Sequence, residues 1–144
     1  MDPPELTNFG SLVRFALSLE DAAVSFFEGL ATVVMGEELQ GLVRELADQH
    51  RQRRKVLEQT RARVNEMILE PISGLDGGRY VFDAGPADRT EAIASGVSLE
   101  ETAARFYSES ATVAKALLAE AARAFRKFGE DSARNAVRLR MAPR

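Results

Sequence analysis

The stretch Ser18-Leu19-Glu20-Asp21-Ala22-Ala23 returns eighty residues later as Ser98-Leu99-Glu100-Glu101-Thr102-Ala103. The echo extends outward. Phe26-Phe27 falls on Phe106-Tyr107, and Ala31-Thr32-Val33 falls on Ala111-Thr112-Val113. Beyond that point the offset becomes 82, so that Leu39, Val43 and Leu46 fall on Ala121, Phe125 and Phe128. A period this long is not that of a solenoid. It reads as one duplicated helical hairpin, and two hairpins make a four-helix bundle.

The rest of the sequence agrees with an all-α fold. It is rich in Ala, Leu, Glu and Arg, which are strong helix formers. Its one dense cluster of breakers is Pro71, Gly74, Gly77, Gly78, Gly85 and Pro86, with a turn signal at Asp76-Gly77-Gly78. The expected architecture is a single domain over 1–144, with a hairpin at 6–69, a crossover at 70–87 and a second hairpin at 88–140. Helices are expected over about 6–34, 37–69, 87–113 and 117–140. Gly36 supplies the first turn, and the second lies near Ala114-Lys115-Ala116. Asp88 or Thr90 is placed to cap the third helix. A crossover of about 18 residues reaches ~55–60 Å when extended, enough to run the length of the bundle.

Composition removes several chemistries. The 144 residues include no cysteine, which excludes disulfides, thiolate metal sites and a cysteine nucleophile. The one histidine, His50, excludes a catalytic histidine alongside separate histidine ligands within one chain. A net charge of −3 gives no pull toward nucleic acid or anionic membrane. No apolar run approaches the ~20 residues of a membrane span, and the acidic start Met1-Asp2-Pro3-Pro4-Glu5 has no signal-peptide character. A cytoplasmic location is expected, with no nucleic-acid or membrane partner.

Spacings of three and four define the inward stripes. The first helix gives Phe9, Val13, Ala16, Glu20, Ala23, Phe27, Leu30 and Val34; the second gives Leu39, Val43, Leu46, His50, Arg53, Leu57, Thr60, Val64 and Met67. The third gives Ile93, Val97, Glu100, Ala104, Tyr107, Ala111 and Ala114; the fourth gives Leu118, Ala121, Phe125, Phe128, Ser132, Asn135 and Leu139. Each stripe is interrupted near its middle by polar residues. Glu20 and His50 each lie about 15 residues from the first turn, or ~22 Å along the helix axis. Glu100 and Ser132 stand at matching distances from the second. The stripes thus predict one buried polar layer of Glu20, His50, Arg53, Glu100, Ser132 and Asn135. Ionised carboxylates at such a depth need a cation. The candidates are Arg53, a protonated His50 or a metal.

Here the sequence resembles the ferritin-like superfamily, and within it the rubrerythrin-type bundles. In that family the first helix of each hairpin carries a glutamate followed seven residues later by an aromatic ring. Glu20 with Phe27 and Glu100 with Tyr107 match. The second helix of each hairpin carries Glu-x-x-His, which supplies a bridging carboxylate and an imidazole to a di-iron or di-manganese centre. The aligned positions here hold His50 with Arg53, and Ser132 with Asn135. The resemblance covers about 9–139. It implies a ferritin-like fold and homo-oligomers, a dimer foremost. The loss of both Glu-x-x-His motifs implies that the usual di-metal peroxidase or ferroxidase centre does not assemble.

Three functional readings follow. In the first, the chain is a rubrerythrin-like bundle with a degenerate di-metal centre, acting as a non-catalytic structural or interaction module. Arg53 and His50 then neutralise the two glutamates. In the second, Glu20, His50 and Glu100 hold one Fe, Mn or Zn ion in an atypical oxidoreductase, with Tyr107 as a neighbouring redox group. Arg53 separates the two. Pointing inward it repels a metal, whereas snorkelling outward it leaves the carboxylates to one. A third reading has the emptied interior, lined by Phe27, Phe125 and Phe128, take a small organic ligand. The basic run Arg51, Arg53, Arg54 and Lys55, with Arg61 and Arg63, is interleaved with Glu45, Asp48, Glu58 and Glu66 and reads as a solvated face. Gly77-Gly78 lacks the lysine and the strand–helix context of a phosphate loop. The off-stripe rings Phe15, Phe26 and Phe106 face either a neighbouring helix or a second subunit.

Overall fold

The chain is described from a computed structural model that covers residue 6 and residues 8–64, 75–80, 89–114 and 119–142, with the side chains of 63, 64, 89 and 90 left out. Four long helices account for nearly all of it: α1 (Phe9–Ala31), α2 (Glu37–Val64), α3 (Arg89–Ala114) and α4 (Ala119–Met141). One short 3-10 turn, Gly77–Tyr80, lies between α2 and α3 in sequence. The chain is an all-α four-helix bundle.

Local chemistry sets the helix ends. α1 starts three residues later than periodicity suggests because Asn8 caps it. The Asn8 side chain accepts from the Ser11 N–H at 2.8 Å, and Ser11 Oγ accepts from the Asn8 N–H at 3.1 Å. Such a reciprocal cap satisfies two orphan donors and contributes about 1 kcal/mol. α1 stops at Ala31 because the Thr32 hydroxyl and N–H both turn back onto the Gly29 carbonyl. Gly36 then takes a φ of +96°, a conformation that a Cβ disfavours, and α2 begins at the next residue. Thr90 lies inside α3 and so does not cap it. The α3–α4 turn, Asp88, Leu118, Met67 and most of the expected crossover fall outside the described residues.

Each helix runs antiparallel to the two it packs on. α1 meets α2 through Glu20–His50 and Ala31–Gln40, and α3 meets α4 through Tyr107–Phe125 and Glu101–Arg140. The hairpins then close on each other. Phe15 packs on Phe106 and Phe27 on Gly96 between α1 and α3, while Arg53–Ser132, Gln49–Asn135 and Glu45–Arg138 run down the α2–α4 seam. The spatial order around the bundle is α1, α2, α4, α3.

The apolar core forms two clusters. One gathers Phe9, Leu12, Leu57, Tyr80, Phe106, Tyr107, Phe125 and Phe128. The other gathers Phe27, Leu30, Val43, Leu46, Val97, Leu99 and Leu139. The polar side chains lie between them. Phe15, Phe26 and Phe106 are packed within this chain: Phe15 and Phe106 clasp Tyr80, and Phe26 sits edge-on to Phe27. Among the described residues no helix is long and apolar enough to cross a membrane.

Candidate functional site

Every helix contributes to one buried polar layer, and the stripe period is the cause. On each helix a polar residue occupies a core position, flanked one turn away by buried apolar side chains such as Ala16 and Ala23 around Glu20. Glu20, His50, Glu100 and Ser132 are 0 % exposed, and Arg53 and Asn135 are 2 % exposed. Arg53 points into the bundle.

The imidazole of His50 is the hub. Its Nδ1 lies 2.5 Å from Glu20 Oε2 and its Nε2 lies 3.0 Å from Glu100 Oε1. A neutral imidazole donates from one nitrogen only, so two carboxylate neighbours call for the doubly protonated cation. Burial alone would push the His50 pKa down, but Glu20 and Glu100 raise it to about 9. Burial would likewise raise the Glu20 carboxyl. His50, Arg53 and the Tyr107 hydroxyl together hold it below its ordinary value. Both groups are therefore charged at neutral pH.

Neighbours on the remaining sides complete the layer. Tyr107 donates its hydroxyl to Glu20 Oε1 at 2.6 Å. Burial, reinforced by the Glu20 charge, pushes the Tyr107 phenol well above its ordinary pKa, which keeps it a donor. Arg53 donates to Ser132 Oγ at 2.7 Å and to Gln49 Oε1 at 2.9 Å, and its guanidinium lies 3.6 Å from Glu20. The Ser132 hydroxyl in turn donates to Glu100 Oε1 at 3.0 Å, and Asn135 donates to Gln49 at 2.5 Å. Aromatic faces cover both cations. Phe27 stacks on His50 with ring centroids 5.5 Å apart, and Arg53 sits 5.7 Å over Tyr107 and 5.5 Å over Phe128. Phe125 packs between Phe9 and Tyr107. The rings that would have lined a ligand cavity thus pack on the layer and on one another.

Two carboxylates and two cations bring the layer to zero net charge. This arrangement does not fit a metal centre. A zinc or iron site needs four or more donors converging on one point. Here Glu20 and Glu100 bind different edges of one imidazole, so the three candidate ligands meet at the ring. Of the four carboxylate oxygens, only Glu100 Oε2 has no hydrogen-bond partner among the described residues. Among those residues no group of three His, Asp or Glu side chains is disposed to hold a metal ion. A divalent ion displacing the His50 proton would leave the layer with net charge +1, beside the Arg53 guanidinium.

The structure brings together all six expected layer residues and Tyr107. Gln49 was missed. It lies one residue off the inward stripe, and its only sequence signal is the four-residue spacing to Arg53. The basic run divides: Arg53 turns inward, whereas Arg51 pairs with Glu28 and Asp48, and Arg54 pairs with Asp21 and Glu58 at the surface. The side chain of Arg63 lies outside the described residues. Comparisons with protein families, with curated proteins and with solved structures find no match to this chain.

Proposed function

We propose that the chain is a ferritin-like bundle of the rubrerythrin type whose di-metal centre has degenerated, and that it serves as a non-catalytic structural or interaction module. The observation that carries this reading is the His50 imidazole bridging Glu20 and Glu100, with Arg53 completing the charge balance. Helix direction adds support. α2 and α3 both run antiparallel to α1, so α2 ends and α3 begins at opposite ends of the bundle. A connection of the ferritin-like kind has to span that length. The paired Glu-to-aromatic spacings also gain a role, since Phe27 and Tyr107 both lie against the polar layer.

In this reading no side chain of the layer is left to perform chemistry. Tyr107 is a hydrogen-bond donor with its proton held, and the glutamates are neutralised by side chains of the same chain. What the fold offers is a rigid helical surface, and a homodimer is the assembly we propose for it in a cytoplasmic setting. Sedimentation at several concentrations tests the dimer.

Elemental mass spectrometry tests the metal-free reading. Protein prepared without chelator is challenged with Fe(II), Mn(II) and Zn(II) and then assayed for peroxidase and ferroxidase turnover. Substoichiometric metal and no turnover are expected. One metal per chain that disappears in His50→Ala would overturn the reading and restore Glu20, His50 and Glu100 as ligands.

A further inference from the structure

The charges of the buried layer are divided unequally between the two hairpins. The α1–α2 hairpin brings one carboxylate, Glu20, and two cations, His50 and Arg53, for a net +1. The α3–α4 hairpin brings one carboxylate, Glu100, and only neutral partners in Tyr107, Ser132 and Asn135, for a net −1. Four of the layer's contacts cross from one hairpin to the other: His50–Glu100, Tyr107–Glu20, Arg53–Ser132 and Asn135–Gln49.

This division matters because the hairpins are repeats of each other. Their apolar stripes share spacing and facing, so hydrophobic burial alone does little to stop a hairpin from pairing with its own kind in a second copy. The polar layer does. Two α1–α2 hairpins face to face would bury four cations against two carboxylates. Two α3–α4 hairpins would bury two carboxylates with no cation. Either pairing must change protonation to close: without Glu100 the His50 imidazole gives up its proton, and without a cation the Glu100 carboxylate takes one up, and each loses the charge-assisted contacts of the unlike pair, which is unfavourable. Only the unlike pair closes to neutrality with His50 and Arg53 charged and both glutamates ionised.

We propose that the layer is a pairing code, in which the inner face of the α1–α2 hairpin accepts an α3–α4 hairpin, from the same chain or a second copy, and rejects another α1–α2. A duplicated bundle gains its specificity from such an element, because the two halves otherwise compete for the same partner. The inference rests on the metal-free reading of the layer, since a metal would change the charge that each hairpin has to match.

The test uses full-length chains. Arg53→Ser leaves the layer at −1, and Ser132→Arg takes it to +1. Each alone is expected to lower Tm by about 10 °C or more. Placed in one chain, the two restore neutrality and most of the lost Tm, because the Arg53 guanidinium already contacts Ser132. The two single variants are then unfolded together, refolded and examined by native mass spectrometry. Exchange of hairpins between an Arg53→Ser chain and a Ser132→Arg chain gives a dimer in which both layers are neutral. That heterodimer is expected well above its statistical share, with a Tm above either variant alone. Wild-type chains mixed with isotope-labelled wild type give the background of unselective exchange. If Ser132→Arg does not fold alone, its rescue by the partner chain is the positive result, and Arg53→Gln provides a second uncharged partner. A heterodimer at or below the statistical share, or a double variant no more stable than the worse single, overturns the pairing code. Metal content of the wild type is measured separately, so a metal-loaded protein sinks the metal-free reading, whereas a metal-free protein without pairing preference sinks the code alone.

Discussion

Raising the pH through the alkaline range should destabilise the bundle by discharging a single imidazole. The His50 pKa is about 9 in the folded chain, against an ordinary value of 6.5. The folded state therefore binds the proton more tightly than the unfolded state. The stabilisation is fully present below the unfolded pKa and is lost as pH rises through the folded pKa. A rise of about two and a half units corresponds to about 3 kcal/mol. A domain of this size typically has only about 5–15 kcal/mol in total, so the loss is large. His50 is the only histidine, which makes the window clean, and the Tyr107 phenol titrates far above it. The assay is urea denaturation at a series of pH values from about 6 to about 9.5, on wild type and on His50→Gln. Wild-type stability should fall by about 3 kcal/mol across that window, whereas the variant, weaker throughout, should show a flat profile. A flat wild-type profile, or the same slope in the variant, would refute the assignment of charge to the imidazole.

Other outcomes follow from the same geometry. Arg53→Met leaves two buried carboxylates facing one cation and should cost about 3–5 kcal/mol in chemical denaturation. Converting Glu20, His50, Arg53 and Glu100 together to leucine or methionine, with Tyr107→Phe and Ser132→Ala so that no buried hydroxyl loses its partner, should keep the helical circular-dichroism spectrum and leave stability unchanged or raised by about 1–4 kcal/mol, since a whole buried ion cluster is often replaceable by apolar packing. Tyr107→Phe removes the hydroxyl that helps to hold the Glu20 pKa down. It should cost about 1–3 kcal/mol, and because the Glu20 contribution disappears as pH falls through its folded pKa, acid unfolding should move to higher pH. Gly129→Ala places a Cβ 3.1 Å from Ser108 Oγ and 3.3 Å from the Ala104 carbonyl oxygen and the Ser108 backbone nitrogen across the α3–α4 contact. The clash, about 1–3 kcal/mol, should outweigh the ~1 kcal/mol of helix propensity gained and lower Tm.

The sequence carried the layer because periodicity carries it. A stripe read at spacings of three and four says which residues face inward, and counting from a turn says at what height. Every described stripe position on α1 from Phe9 to Leu30, and on α2 from Leu39 to Thr60, is buried. Ala104 is half-buried, because α3 turns its interior face toward Ala103, Phe106 and Tyr107. The direction of Arg53 was not legible. An arginine on an inward stripe has enough length to reach either solvent or core, and only the partners waiting inside, Ser132, Gln49 and the faces of Tyr107 and Phe128, decide it. Gln49 was invisible for the same reason: its role exists only once Arg53 and Asn135 converge on its amide oxygen. The off-stripe rings left the choice between intrachain and intersubunit packing open, and Tyr80, from the short turn before α3, covers two of them.

The ¹⁵N–¹H resonances of the His50 imidazole at neutral pH, recorded before and after addition of Fe(II) or Zn(II), test the central claim most directly. The account predicts protons on both ring nitrogens, each hydrogen-bonded to a carboxylate, and no change when metal is added. A single ring proton whose resonance shifts or broadens with one equivalent of metal would show that the imidazole is a ligand and that the layer is built for an ion.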